Sequence, residues 1–436
     1  MVVYFKYISN QKGFKGMGKK LKVLISAYAC EPGKGSEPGV GWNWVKQISR
    51  VHEVWVITRS NNKITIESCS KEALKNVHFI YIDLPIWLQR LKKLGGIFTL
   101  YLYYYLWQLR VYFVARSLHK IVKFDVAHHI TFTGDWLPSF ISLLGIPFIW
   151  GPVGGSTHRL PWKFLRRYTL RHCFYELCRC LFQIYGRMID PFVVLTRKRS
   201  WKIIAYTEEA KLALPPSARE KAIVIKHIGI DPSIIENFRG EKCRSKERQQ
   251  FTIYTTGRLV HWKGYDLLIE AFAKFLREYK NAKLLIGGKG PMESWLRYLV
   301  KNLGLEKYVQ FLGYLSYDSV LKQIAEADVF CLLTLRDGPP VVLLEAMAIG
   351  TPVICLDLYG AGQLVPDEAG VKIKAINPQQ VIEDVTKALL KLANDPIWRS
   401  TLSKYAVEYT LRAHRWDHIG DQILQLYDEL SGKSTR

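Results

Sequence analysis

No run of about 20 apolar residues, the length that a membrane-crossing helix requires, occurs in the sequence, and Met1 to Lys20 are basic and glycine-containing without an apolar core. Neither a transmembrane span nor a signal peptide is expected. The stretch 1–16 reads as a tail or a misassigned start ahead of Met17. The eight cysteines contain no CxxC pair. Cys173, Cys178 and Cys180 cluster, but no His or Cys set completes a zinc site. Reduced, structural thiols fit a cytoplasmic or cytosol-facing protein. A dinucleotide fingerprint is also missing, because Gly39 comes one place late after Gly33-Lys34-Gly35. Zinc fingers, RNP-like aromatic motifs and basic heptads are absent as well, which disfavours nucleic acid as the partner.

Acidic residues are scarce, 38 against 62 Lys and Arg, for a formal net charge of +24. Such a surface prefers anionic partners: phosphate-bearing substrates or an anionic membrane. The 436 residues exceed what one core usually serves, and 49% hydrophobic with 23% charged residues fits a globular protein. Short β-branched runs alternate with helical patterns, as in βαβ units with parallel sheets. Strands are expected near Lys22, Val54, His78, Val126 and Pro147, over Phe192 to Leu195, and near Ala222. The polar stretch Asn237 to Gln250 reads as a linker, after which the alternation restarts at Phe251. The expectation is two doubly wound, Rossmann-like α/β domains facing each other across a cleft. Residues 20–235 form the first and 250–405 the second, and residues 406–436 are helices crossing back towards the first domain. Ligands bind beyond the carboxyl ends of such strands.

The second half holds the denser chemistry. Arg258 and Lys263 fall in the loop after its first strand, where a fork and a point charge can together hold a diphosphate. The stretch from Asp337-Gly338 through Pro340 to Gly350-Thr351-Pro352 predicts a short helix with its N-terminus at the cleft, a ready phosphate site. Glu345 is the lone acid among Val341, Val342, Leu343, Leu344, Ala346, Met347 and Ala348. A carboxylate so placed needs a partner, either a ribose diol or a Lys or Arg.

Gly257-Arg258-Leu259-x3-Lys263-Gly264, Gly287-Gly288-Lys289-Gly290-Pro291, Phe311-Leu312-Gly313 and Glu345-Ala346-Met347-Ala348-x-Gly350-Thr351-Pro352-Val353 follow in order. Together they resemble glycosyltransferase family 4 (group 1), retaining enzymes of the GT-B fold. The resemblance covers the second domain and implies a hexosyltransferase that uses a UDP- or GDP-linked sugar without a metal. No D-x-D triplet, the metal–diphosphate signature of the other main glycosyltransferase fold, is present. Arg258 and Lys263 would stabilise the leaving diphosphate and Glu345 the ribose, with Gly338, Val341 and Val342 against phosphate or sugar. Asp337 precedes Glu345 with seven residues between them, at the place of the family's first glutamate, to contact the transferred sugar. It is one methylene shorter, and Gln363 replaces a frequent acid, so the sugar's identity does not carry over.

On the first domain, the resemblance sets Gly39 and Gly41 against the donor and His128, towards the end of the strand Val126 to Ile130, near the reacting sugar. The glycine-punctuated loop from Phe148 to Gly155 would serve acceptor access. Two stretches suit a membrane interface: the Tyr- and Trp-rich run between Lys93 and Arg110, otherwise a buried helix, and a basic, aromatic helix over 159–171. The expected acceptor is a glycan precursor or lipid-linked molecule, met at the cytosolic face of an anionic membrane. The alternatives are a GT-B epimerase or phosphorylase, a non-catalytic scaffold relative and a basic nucleic-acid binder. An epimerase would need cleft acids placed for elimination, and a phosphorylase a pyridoxal-bearing lysine; neither is identified.

Overall fold

The computed structural model describes residues 19–69, 75–94, 96–238 and 250–433. Residues 1–16 and nearly all of the linker, 239–249, lie outside the described residues.

Two parallel sheets carry the chain. The first has seven strands in the order β3-β2-β1-β4-β5-β6-β7. These are β1 Lys22–Ser26, β2 Glu53–Arg59, β3 Val77–Ile82, β4 Val126–His129, β5 Phe148–Val153, β6 Lys202–Ala205 and β7 Ala222–Val224. The second runs β10-β9-β8-β11-β12-β13. Its strands are β8 Phe251–Thr256, β9 Ala282–Gly287, β10 Val309–Gly313, β11 Val329–Leu332, β12 Val353–Leu356 and β13 Gly370–Ile373. Strands β8, β11 and β12 are buried along their whole length, as sheets covered by helices on both faces require. Register is tight: Val23 pairs with Val54 on one side and Val126 on the other. In each sheet the strand order reverses once, between β1 and β4 and between β8 and β11. Loops part at those points and leave a crevice for a ligand.

The stretch Phe192 to Leu195, expected as a strand, is helix Pro191–Arg199. Asp190 caps it by accepting hydrogen bonds from the Phe192 and Val193 amides, and Pro191 opens it. That Asp-Pro start outweighs the β-branched pair, and the strand comes later, at β6. The Tyr-rich run belongs to α1, Gly96–Val122, whose Tyr103, Tyr104 and Trp107 are buried in the first core.

The basic helix expected over 159–171 is broken. A single turn at Trp162–Leu165 precedes α2, Leu170–Met188. The segment before α2 is an arm: Leu160 and Phe164 enter the core of the second domain. Arg167 there donates to Asp266 at 2.8 Å and to Glu270. The chain returns at its end, because α3, Trp416–Lys433, packs on the helix Ser36–Ile48 of the first domain.

Candidate functional site

The two switch points face one cavity of about 1040 Å³. The second domain forms its wall by close loop packing. A Cβ on Gly288 would lie 1.9 Å from the Gly257 carbonyl oxygen, and one on Gly290 2.3 Å from that of Leu259. The loops after β8 and β9 thus touch backbone to backbone, which only glycine permits. Gly264, in the left-handed region at φ 64°, turns the chain over Leu333, and Lys263 beside it lines the cavity. Arg258 is exposed into the same cavity.

Opposite this loop stands α4, Val341–Ile349, with Pro340 as its N-cap and Gly350 ending it at φ 82°. Gly338, Val341 and Val342 line the cavity, so the helix's first amides, which lack partners within the helix, stand at its wall. Asp337 accepts from Lys263 at 2.5 Å and from the Thr334 hydroxyl at 2.6 Å. Burial pushes the Asp337 carboxyl up, but Lys263, Thr334 and Arg336 together hold it below the ordinary aspartate range.

Glu345 is 3% exposed, and its partner is the Tyr317 hydroxyl at 2.8 Å, neither Lys nor Arg. Burial raises its pKa to about 7, against the pull of that hydrogen bond. Gly35 of the first domain closes over the pair: a Cβ there would stand 3.0 Å from the Tyr317 ring and 3.6 Å from a Glu345 oxygen.

Two expectations about the first domain are corrected. His128 is fully buried and lies on β4, below the cleft. Its Nε2 donates to the Gly151 carbonyl at 2.8 Å, so its Nδ1 accepts from the Tyr427 hydroxyl at 2.7 Å. Burial lowers its pKa to about 3 and keeps the ring neutral. The residue from this strand end that reaches the cavity is Ile130. Gly41 also lies away from the cavity; its missing Cβ makes room for the Ala29 carbonyl, 2.1 Å from where that atom would be, and for the Thr131 methyl. Gly39 lines a neighbouring cavity of about 240 Å³, shared with Gly35, Tyr317 and Glu345.

The sequence reading missed the opposite wall: Tyr101, His158, Arg179, Gln183, Tyr206 and Arg336. Several belong to a buried bridge between domains. Glu176 on α2 meets His261 at 3.0 Å, Arg179 at 3.0 Å and Arg336 at 3.1 Å, while Arg336 stacks on Trp262 at 3.8 Å. Only the step from Arg336 to Asp337 in sequence could have flagged it. Among the described residues no group of three or more His, Cys, Asp or Glu is arranged to hold a metal ion.

Comparison with known proteins agrees with this geometry. The family described as glycosyl transferases group 1 matches residues 240–408. An uncharacterized glycosyltransferase of Methanocaldococcus jannaschii is 32% identical over 333 residues, 72% of this chain and 79% of the relative. A GDP-mannose-dependent monoacylated alpha-(1-6)-phosphatidylinositol monomannoside mannosyltransferase of Corynebacterium glutamicum is 28% identical over 198 residues, covering 43% of this chain and half of the relative. Anabaena HepE, solved with UDP and glucose, superposes with a TM-score of 0.61 at 16% identity over 94% of this chain and all of that one. With two opposed parallel-sheet domains and a basic loop facing a helix N-terminus, this GT-B chain belongs to the glycosyl transferases group 1 family and is a transferase enzyme.

Proposed function

We propose that the protein transfers a sugar, with retention of anomeric configuration, from a nucleotide-sugar donor to a lipid-linked acceptor or cell-surface glycan precursor. One observation carries the reading: Arg258 and Lys263 share a cavity with the first turn of α4 at the switch point of the second sheet. Two cations and a set of amides without helical partners suit a diphosphate. Glu345, buried beside Tyr317, suits a ribose diol, whose hydroxyls would donate to it. HepE was solved with UDP, and the Corynebacterium relative uses GDP-mannose by its name, which supports a nucleotide-sugar donor. That relative's phosphatidylinositol-based acceptor supports a lipid acceptor here.

In the proposed reaction the acceptor hydroxyl oxygen bonds the anomeric carbon on the face that the phosphate leaves. The bond from anomeric carbon to phosphate oxygen breaks with its electron pair, and that oxygen takes the hydroxyl proton. Arg258, Lys263 and the α4 amides stabilise the departing charge where it develops. Asp337 holds Lys263 in place and offers an oxygen to a hydroxyl of the transferred sugar. Protein groups meet the diphosphate's charge, so no resident metal is invoked. The enzyme works at the cytosolic face of an anionic membrane, and its binding partners are small molecules and lipid, not nucleic acid.

Thermal unfolding against UDP, GDP, ADP and their sugar conjugates tests the donor site. One nucleotide should raise Tm, since a ligand at a hundred times its Kd adds about 2.7 kcal/mol. Arg258→Ala should abolish that shift. If no nucleotide stabilises the wild type, the donor reading fails.

A further inference from the structure

We propose that α2 is a docking element for an anionic lipid leaflet, with its polar face forming the cleft wall and its apolar face entering the lipid. The helix is inverted relative to a surface helix: Glu176, Arg179, Gln183 and Gly186 are buried. Leu170, Phe174, Leu177, Leu181, Ile184 and Met188 face solvent at 87%, 67%, 56%, 57%, 48% and 62% exposure. These six repeat at spacings of four and three and so form one stripe along the helix. An exposed apolar stripe of this size on a soluble surface marks a binding face.

The charges around it choose the occupant. Glu176, the one acid of α2, points into the bridge between the domains, so the outer face has Arg171 and no acid. At the N-terminal end, Trp162 is exposed, with Lys163 and Arg166 at 6.0 and 5.0 Å from its ring. A tryptophan among cations beside an apolar stripe matches the headgroup level of an anionic leaflet. A second copy would bring like charges together on a chain of net charge +24. The apolar surface continues onto α1 through the Tyr101–Phe182 ring pair, 6.5 Å apart, to exposed Leu102, Leu109 and Phe113.

The other side of α2 gives the docking a purpose. Arg179 and Gln183 line the large cavity. A lipid lying under the helix would therefore have its headgroup within about one helix diameter, 10 Å, of the cleft. Only this last point rests on the proposed lipid acceptor; docking itself does not.

The test is co-sedimentation of the full chain with phosphatidylcholine vesicles and with mixed phosphatidylcholine–phosphatidylglycerol vesicles, without donor or acceptor. The wild type should pellet with the anionic vesicles alone, and less as salt rises. Leu177→Asp with Leu181→Asp should cut partitioning about tenfold or more. Leu303→Asp with Ile397→Asp adds the same charge on the second domain and should change it little. Leu177→Gln with Leu181→Gln repeats the loss without added charge. All variants should keep the nucleotide-induced Tm shift, which separates failure of docking from failure of the donor reading. The proposal is overturned if the wild type stays in the supernatant or if the second-domain pair loses as much binding. It is equally overturned if velocity sedimentation without vesicles shows a dimer that the α2 pair dissolves, since the stripe would then join two copies.

Discussion

Glu345 keeps its carboxyl out of water with a phenol for its partner. Its proton is held to about pH 7, well above the ordinary glutamate range. A carboxyl whose folded pKa is raised adds stability in its protonated form. That contribution is complete below about pH 4.5 and is lost as pH rises through about 7. Glu345→Gln keeps the shape and removes the charge, so its melting temperature should match the wild type near pH 5 and exceed it at pH 8. The gain has an upper bound on the order of 3 kcal/mol, from 1.36 kcal/mol per pKa unit. The same substitution should weaken nucleotide binding at pH 8, because a neutral amide accepts more weakly from a diol. Melting curves at both pH values, with and without nucleotide, check both. Glu345 was legible in the sequence because one acid among apolar neighbours is costly. Tyr317 was not, since the pair is 28 residues apart in the chain. His128 was misplaced because a strand end does not say which of its residues reaches a cleft; here it is Ile130 and neither histidine.

At the scale of elements, α2 joins the two halves of the molecule. Glu176 is 4% exposed and meets three basic side chains, of which Arg336 precedes Asp337 at the donor loop. Glu176→Ala would leave Arg179 and Arg336 facing each other with no anion between. Breaking a buried charge network in this way costs about 3–5 kcal/mol. The expected outcome is a Tm lowered by several degrees and a nucleotide shift reduced with it, because the Arg336–Asp337 turn loses its support; calorimetry with and without nucleotide measures both. Most strands were readable here, since continuous Val, Ile and Leu runs have few alternatives, whereas their order, and with it the switch points, was not. The arm was not: Leu160, Phe164 and Tyr168 carry an interface pattern, and sequence periodicity does not tell a lipid face from the core of a neighbouring domain. Phe192 to Leu195 shows a competing local signal, in which an Asp-Pro cap overrode strand propensity.

For the whole molecule, the C-terminal helix decides whether the first domain can close its core. Trp416, Ile419, Ile423 and Tyr427 of α3 all belong to that core, and Tyr427 satisfies His128. A chain ending at Ala413 would strip four large side chains and leave a buried imidazole without its donor. The expected result is a second domain that still binds nucleotide and a first domain that exposes apolar surface. Limited proteolysis should then leave a nucleotide-protected fragment that begins near Phe251.

The chain crosses between domains after β7 and again before α3, and these crossings are tied to each other. The Ile230 amide donates to the His414 carbonyl at 2.6 Å, and the Trp416 amide to the Ile230 carbonyl at 3.2 Å. Two connections bonded side by side act as one pivot. Any opening of the cleft would then turn about this shared axis rather than slide, so its mouth would change its angle while its two floors keep their alignment. An incoming acceptor would meet an entrance of variable width over a donor seat that stays in line.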